Sequence, residues 1–150
     1  MEQLKIAIIG AGSGTFSINL IKDLCVNERL KHVRLALMDV DEARLDGIYS
    51  MCVRYAAEIG HDLHVRKTTD RIEAITGADF VINVALDYGH ARMLEGWKVA
   101  MAHGYRFGGS LHILHDEAFW VNFHQLRLME SIAQDVLRVC PNAWLVMVAN

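Results

Sequence analysis

Six consecutive residues, Gly10-Ala11-Gly12-Ser13-Gly14-Thr15, combine three glycines with two hydroxyl side chains directly after a short apolar run. Glycine lets the main chain turn tightly and lets a ligand approach the backbone, so that free N–H groups can cradle a diphosphate. Gly10 is placed to make the turn and Gly12 to admit a pyrophosphate. Ser13, Gly14, Thr15 and Phe16 lead into the first turn of a helix, whose positive end adds to the attraction. The third glycine of the G-x-G-x-x-G pattern is displaced: Thr15 stands where glycine is expected, and Gly14 comes one residue early. Glycines also serve ordinary strand-to-helix turns, so a second feature in register is needed to give the pattern weight.

That feature is Asp39, at the end of the second apolar run. A carboxylate there can accept hydrogen bonds from the hydroxyls of an adenosine ribose and would repel a 2'-phosphate, which favours NAD over NADP. Asp41, two residues on, reads as a helix cap. Asn83 and Val84 fall at the carboxyl end of the fourth apolar run, where ligands of open α/β sheets bind and where the nicotinamide half of the cofactor would lie. For Asn83 the plainer alternative is a turn-forming polar residue.

The elements that must hold these residues alternate short apolar runs with longer amphipathic stretches, the pattern of strands and crossover helices. Strands are expected at Leu4–Ile9, Val33–Met38, Leu63–Lys67, Asp79–Val84 and Ala143–Val148. Helices are expected at Ser13–Cys25, from Asp41 to a stop at Gly60, at Asp70–Thr76 before Gly77, at Gly89–Met101 and at Asp116–Val139, just ahead of Pro141. The second helix carries Leu45, Ile48, Cys52, Tyr55, Ala56 and Ile59 at three- and four-residue spacing. In the long helix Phe119, Phe123, Leu126, Met129, Ala133, Val136 and Leu137 are expected on the inner side. Gly104 to His115 reads as irregular, punctuated by Gly108 and Gly109. Right-handed crossovers would wind this order into a Rossmann-type doubly wound α/β fold, a parallel sheet of strand order 3-2-1-4-5.

Composition fits one domain. The 150 residues are 53% hydrophobic, with 15 Lys and Arg against 18 Asp and Glu and no long run of like charge, which argues against nucleic-acid or membrane-surface partners. The apolar stretches fall short of a membrane span and the amino terminus lacks an export signal, so a soluble cytoplasmic protein is expected. Cys25, Cys52 and Cys140 are odd in number and far apart, which reads as buried reduced thiols.

The ordered set Lys5–Ser13, Leu37–Leu45 (Leu-Met-Asp-Val-Asp-Glu-Ala-Arg-Leu), Gly77–Asn83, Gly89-His90, His103–Tyr105 and Pro141–Trp144 resembles glycoside hydrolase family 4 over essentially the whole chain. The resemblance implies an NAD- and divalent-metal-dependent glycosidase, an exception to the two-carboxylate scheme. Such enzymes oxidise the sugar 3-hydroxyl by hydride transfer to NAD, which acidifies the C2 proton. Elimination, water addition and return of the hydride follow, with a metal, usually manganese, polarising the C2 and C3 oxygens. The implied substrate is an unphosphorylated α-glycoside or hexuronide, and a homo-oligomer is implied for the full-length enzyme.

By the same resemblance Asn150 matches the sugar-contacting Asn after strand five. Asp116 matches an acid near the substrate pocket, with capping of its own helix as the alternative. The family's metal-binding Cys and His and its Tyr base lie beyond Asn150, so Cys140, His112 and His115 are given no metal role, and His112, His115 and Asp116 read as pocket or surface residues. The 150 residues are therefore expected to be the cofactor-binding fragment of a longer enzyme, without turnover of their own. Arg92 and Arg106 could meet an anionic sugar, but solvated charge is the default. The rival reading is a 2-hydroxy-acid dehydrogenase, disfavoured because Asp87–Arg92 holds one Arg where that class has an Arg-rich loop; a non-catalytic NAD-binding module is the third.

Overall fold

The computed structural model describes residues 3–30, 32–87, 90–106 and 119–148. Five parallel strands, β1 (Lys5–Ile9), β2 (Arg34–Met38), β3 (His64–Thr68), β4 (Phe80–Asn83) and β5 (Trp144–Met147), form one sheet of order β3-β2-β1-β4-β5. This is the expected doubly wound order, with Ile8 of β1 in register with Leu37 on one side and Ile82 on the other. The helices are α1 (Gly14–Val26), α2 (Glu42–Glu58), α3 (Arg71–Ile75), α4 (His90–Ala102) and α5 (Phe119–Val139).

β1 and β2 are buried over nearly their whole length because helices cover both faces of the sheet. Side chains alternate across a strand, so Ile6 and Ile8, with Leu35 and Leu37, face a core completed by Ile21 and Leu24 of α1 and Leu45, Ile48, Cys52 and Ala56 of α2. Ala7, Ile9, Ala36 and Met38 fill the opposite face, the side on which Ala74 and Ile75 of α3 are buried. Among the expected α2 face residues Tyr55 is only partly buried, and Ile59, the helix C-cap, is exposed.

Caps set the helix limits. The Asp41 carboxylate accepts from the Arg44 amide at 3.1 Å, and the Asp70 carboxylate accepts from the amides of Ile72 and Glu73. Gly60 and Gly77, both at positive φ, close α2 and α3. Arg71 Nε donates to Asp135 Oδ2 at 2.8 Å and ties α3 to α5.

The residues divide into two compact units. One holds the sheet, with residues up to Ala85 and from Ala133; the other runs from Leu86 to Ile132. In the second, the Asp87 amide donates to Gln125 Oε1 at 2.8 Å, which explains a buried glutamine on α5.

The expected inner face of α5 needs correction. Phe123, Leu126 and Leu137 are 55%, 62% and 71% exposed, whereas Gln125, Ile132 and Val136 are buried and Met129 and Ala133 intermediate. The buried stripe runs through a polar residue, Gln125, and the larger apolar side chains flank it; the side chain of Phe119 falls outside the described set. The sheet edges also differ from each other. β3 is polar and exposed, as an edge strand usually is, while apolar β5 leaves Trp144 71% exposed.

Candidate dinucleotide-binding site

The site is assembled where β1 and β2 end. The amides of Gly10 and Ala11 both donate to the Met38 carbonyl at 2.9 Å, which pins the turn after β1 to the end of β2. Gly10 takes φ of +85°, a conformation that L side chains rarely adopt, and a Cβ there would lie 2.5 Å from the Ala85 Cα. The first glycine therefore serves two needs: the turn itself, and close approach to the chain leaving β4.

Gly12 is required by a different neighbour. A Cβ on it would fall 2.8 Å from Asp39 Oδ2 and 3.0 Å from the Arg44 Cβ. In that space the Gly12 amide donates to Asp39 Oδ2 at 2.8 Å, and the Asp41 amide donates to Asp39 Oδ1 at 2.9 Å. The two features read separately from the sequence, glycine turn and aspartate, are thus bonded directly. Each carboxylate oxygen keeps an acceptor direction, so the pair can still receive two hydroxyls.

Ser13 is the N-cap of α1, with no side-chain cap bond and no acidic residue in the first turn. The N–H groups that open α1 are left for an acceptor outside the helix. Ser13 and Thr15 are exposed, Phe16 is half-buried, and Gly14 lies where α1 meets α2, since a Cβ there would touch Ile48 Cδ1 at 3.6 Å. The displaced third glycine thus occupies a helix-packing position with ordinary room for a methyl group.

Asn83 is fully buried. Its Oδ1 accepts from the Ala85 amide at 3.1 Å and its Nδ2 donates to Met147 Sδ at 3.4 Å. These bonds are those of a turn-forming polar residue: Asn83 shapes the end of β4 from inside the sheet, and half-buried Val84 follows, its amide donating to the Ile9 carbonyl at 2.9 Å.

Two contributors were not singled out in the sequence. Ser17, buried on the inner face of α1, donates from Oγ to the Ala11 carbonyl at 2.7 Å and braces the glycine turn from below. A hydroxyl in phase with the apolar residues Ile21 and Leu24 was the available signal. Ala85 gave none, because its closeness to Gly10 arises only when β4 pairs with β1.

Asp116, Asn150, His112 and His115 lie outside the described residues, as does the segment that contains Gly108 and Gly109. Arg92 falls within α4 and Arg106 just beyond it. Among the described residues no three His, Cys, Asp or Glu side chains converge as a metal site would require. The three cysteines are free and buried, and burial raises each thiol's pKa, Cys52 to about 12, so they are neutral groups of the core. No helix among the described residues is long and apolar enough to cross a membrane.

Known proteins share this fold. The family model described as family 4 glycosyl hydrolase matches residues 5–150. A 6-phospho-beta-glucosidase of Escherichia coli (strain K12) is 30% identical over 99% of the chain, and an alpha-galactosidase of Bacillus subtilis (strain 168) is 29% identical over 97%. The chain spans about a third of their length, 33% and 34%. A 6-phospho-alpha-glucosidase from gut microorganisms, solved in complex with NAD and Mn2+, superposes with a TM-score of 0.84 at 21% identity, over 99% of this chain and 33% of that one. The fold is therefore that of these enzymes' Rossmann portion, and with the family match extending from β1 past β5, the chain belongs to the family 4 glycosyl hydrolases.

Proposed function

We propose that this chain is the NAD-binding portion of a glycoside hydrolase that acts on an α-glycoside or hexuronide through transient oxidation at the sugar C3. One observation carries the reading: the Gly12 amide and the Asp39 carboxylate are joined at 2.8 Å beside a helix N-terminus that has no side-chain cap. The residues fit a dinucleotide, because the bare Gly12 backbone lets the Asp39 carboxylate pack against the turn, 2.8 Å from where a Cβ would stand, while each of its oxygens keeps an unused acceptor direction.

Gly10 and Gly12 shape the cradle, and the amides opening α1, from Gly14 through Phe16, face the diphosphate beside the uncommitted Ser13 side chain. Asp39 accepts the ribose hydroxyls. Asn83 acts indirectly, by fixing the turn that carries Val84 and Ala85 past Gly10. NAD, when bound, supplies an acceptor for hydride from the sugar and returns it later. The divalent cation of the proposed reaction is assigned no residue of this chain. Asp116 and Asn150 remain proposed sugar contacts on the family resemblance alone, and the relatives' own names include both phosphorylated and unphosphorylated substrates.

The test is hydrolysis of p-nitrophenyl α-glycosides, α-hexuronides and their 6-phosphorylated counterparts by the protein at the full length its gene encodes, with NAD, manganese and a reductant. Release of nitrophenol that stops when NAD is stripped, together with slower turnover of substrate deuterated at C3, is the expected result. Hydrolysis indifferent to NAD removal would reject the redox route.

A further inference from the structure

We propose that Arg44 is a second specificity residue of this site: it can grip a phosphate on the adenosine 2'-oxygen, and the charge of Asp39 holds that capacity in check. The inference rests on the dinucleotide reading above.

Arg44 and Asp39 flank one point in space. The position a Cβ would take on Gly12 lies 2.8 Å from Asp39 Oδ2 and 3.0 Å from Arg44 Cβ, so the carboxylate and the arginine stem pack side by side against the same glycine. The backbone fixes this arrangement twice, through the Asp41 amide on Asp39 Oδ1 and the Arg44 amide on Asp41 Oδ1. The Arg44 guanidinium is lightly committed. Its Nε stands 3.4 Å from Asp41 Oδ2, long for a hydrogen bond, and 73% of the side chain is exposed. Among the described residues it has no other ion-pair partner, so its paired N–H groups are available for the bidentate contact that guanidinium makes with phosphate.

A ribose diol and a 2'-phosphate would therefore meet opposite receptions here. The diol finds two acceptor oxygens on Asp39. A phosphate, carrying close to two negative charges at neutral pH, is repelled by Asp39 and attracted by Arg44. Preference between the two cofactors is the difference of these effects, and removing one charge should expose the other.

The test compares NAD, NADP and 2',5'-ADP binding by calorimetry in the wild-type chain, Asp39→Asn, Arg44→Gln and the double variant. Arg54→Gln, at an exposed arginine further along α2 that among the described residues pairs only with Glu58, serves as the control. Asparagine keeps one acceptor oxygen for the amides that Asp39 holds. Asp39→Asn is expected to raise NADP affinity by about tenfold, the size of one charge-assisted contact, and adding Arg44→Gln should take most of that gain away. The gain should also shrink in high salt, and Arg54→Gln should change neither ligand's affinity.

An Asp39→Asn gain that survives Arg44→Gln overturns the proposal, as does the lack of any gain in a variant that still binds NAD. If Asp39→Asn does not fold, the wild-type chain decides: Arg44→Gln must lower 2',5'-ADP affinity relative to 5'-AMP, and an unchanged ratio overturns the assignment. A folded wild-type chain that binds neither NAD nor NADP defeats the dinucleotide reading and this inference with it, whereas NAD binding with an inert Arg44 defeats this inference alone.

Discussion

Gly10 and Ala85 meet so closely that a single methyl group on the glycine would sit 2.5 Å from the alanine Cα. The contact joins the turn after β1 to the chain leaving β4, the two segments that border the proposed cofactor cleft. Gly10→Ala would force a side chain into a positive-φ position and against main chain. A loss of about 3 kcal/mol or more is expected, read as a fall in the urea midpoint. A midpoint within experimental error of wild type would show that the approach is not tight.

Gly12→Ala should behave differently. Its backbone is not at positive φ, and the added methyl meets a side-chain carboxylate 2.8 Å away rather than main chain. Asp39 would be displaced, so the fold should lose less than it does in Gly10→Ala while NAD affinity falls by about tenfold or more, as expected when a positioned charged acceptor is misplaced. Calorimetric titration at a temperature where both variants are folded separates the two effects. Equal losses of stability and affinity in the two variants would contradict the distinction.

Ser17→Ala removes the 2.7 Å bond to the Ala11 carbonyl at a site closed to solvent. The carbonyl loses its side-chain donor, and about 1–2 kcal/mol of stability should go with it. Ser17→Cys, which keeps a weak donor of similar shape, should recover part of the loss. Identical midpoints for Ser17→Ala and wild type would remove the serine from the account of how the turn is braced.

Much of this was legible in the sequence, and for identifiable reasons. Strand order followed from alternating apolar runs, and the ends of α2 and α3 followed from Asp41, Gly60, Asp70 and Gly77, whose backbone chemistry is local. The link between Gly12 and Asp39 could be anticipated because each stands at the end of an adjacent parallel strand. Burial that depends on packing could not. The inner face of α5 passes through Gln125, which periodicity counts as polar and the Asp87 amide makes acceptable. Asn83, at a strand end, reads from the sequence as either a ligand contact or a turn-forming residue; its side chain bonds the nearby Ala85 amide, and only pairing of the strands brings it to Met147.

The cysteines set a pH dependence. Burial raises the Cys52 thiol from its ordinary 9.0 to about 12, with Cys25 adding to the effect. Below pH 9 both folded and unfolded chains hold the proton and stability is unaffected. Between 9 and 12 the unfolded chain releases it while the folded chain retains it, so stability falls as pH rises. Urea midpoints from pH 8 to 11 should decline, and the slope above pH 9 should be shallower in Cys52→Ala. A slope unchanged by the substitution would place the alkaline loss elsewhere.

The most direct measurement is the melting temperature of the chain titrated with NAD. Saturable protection that grows with the logarithm of ligand concentration, and that is lost in Asp39→Ala, is the expected result. A chain that melts cooperatively and shows no shift at millimolar NAD would contradict the central claim that Gly12 and Asp39 together form a dinucleotide site.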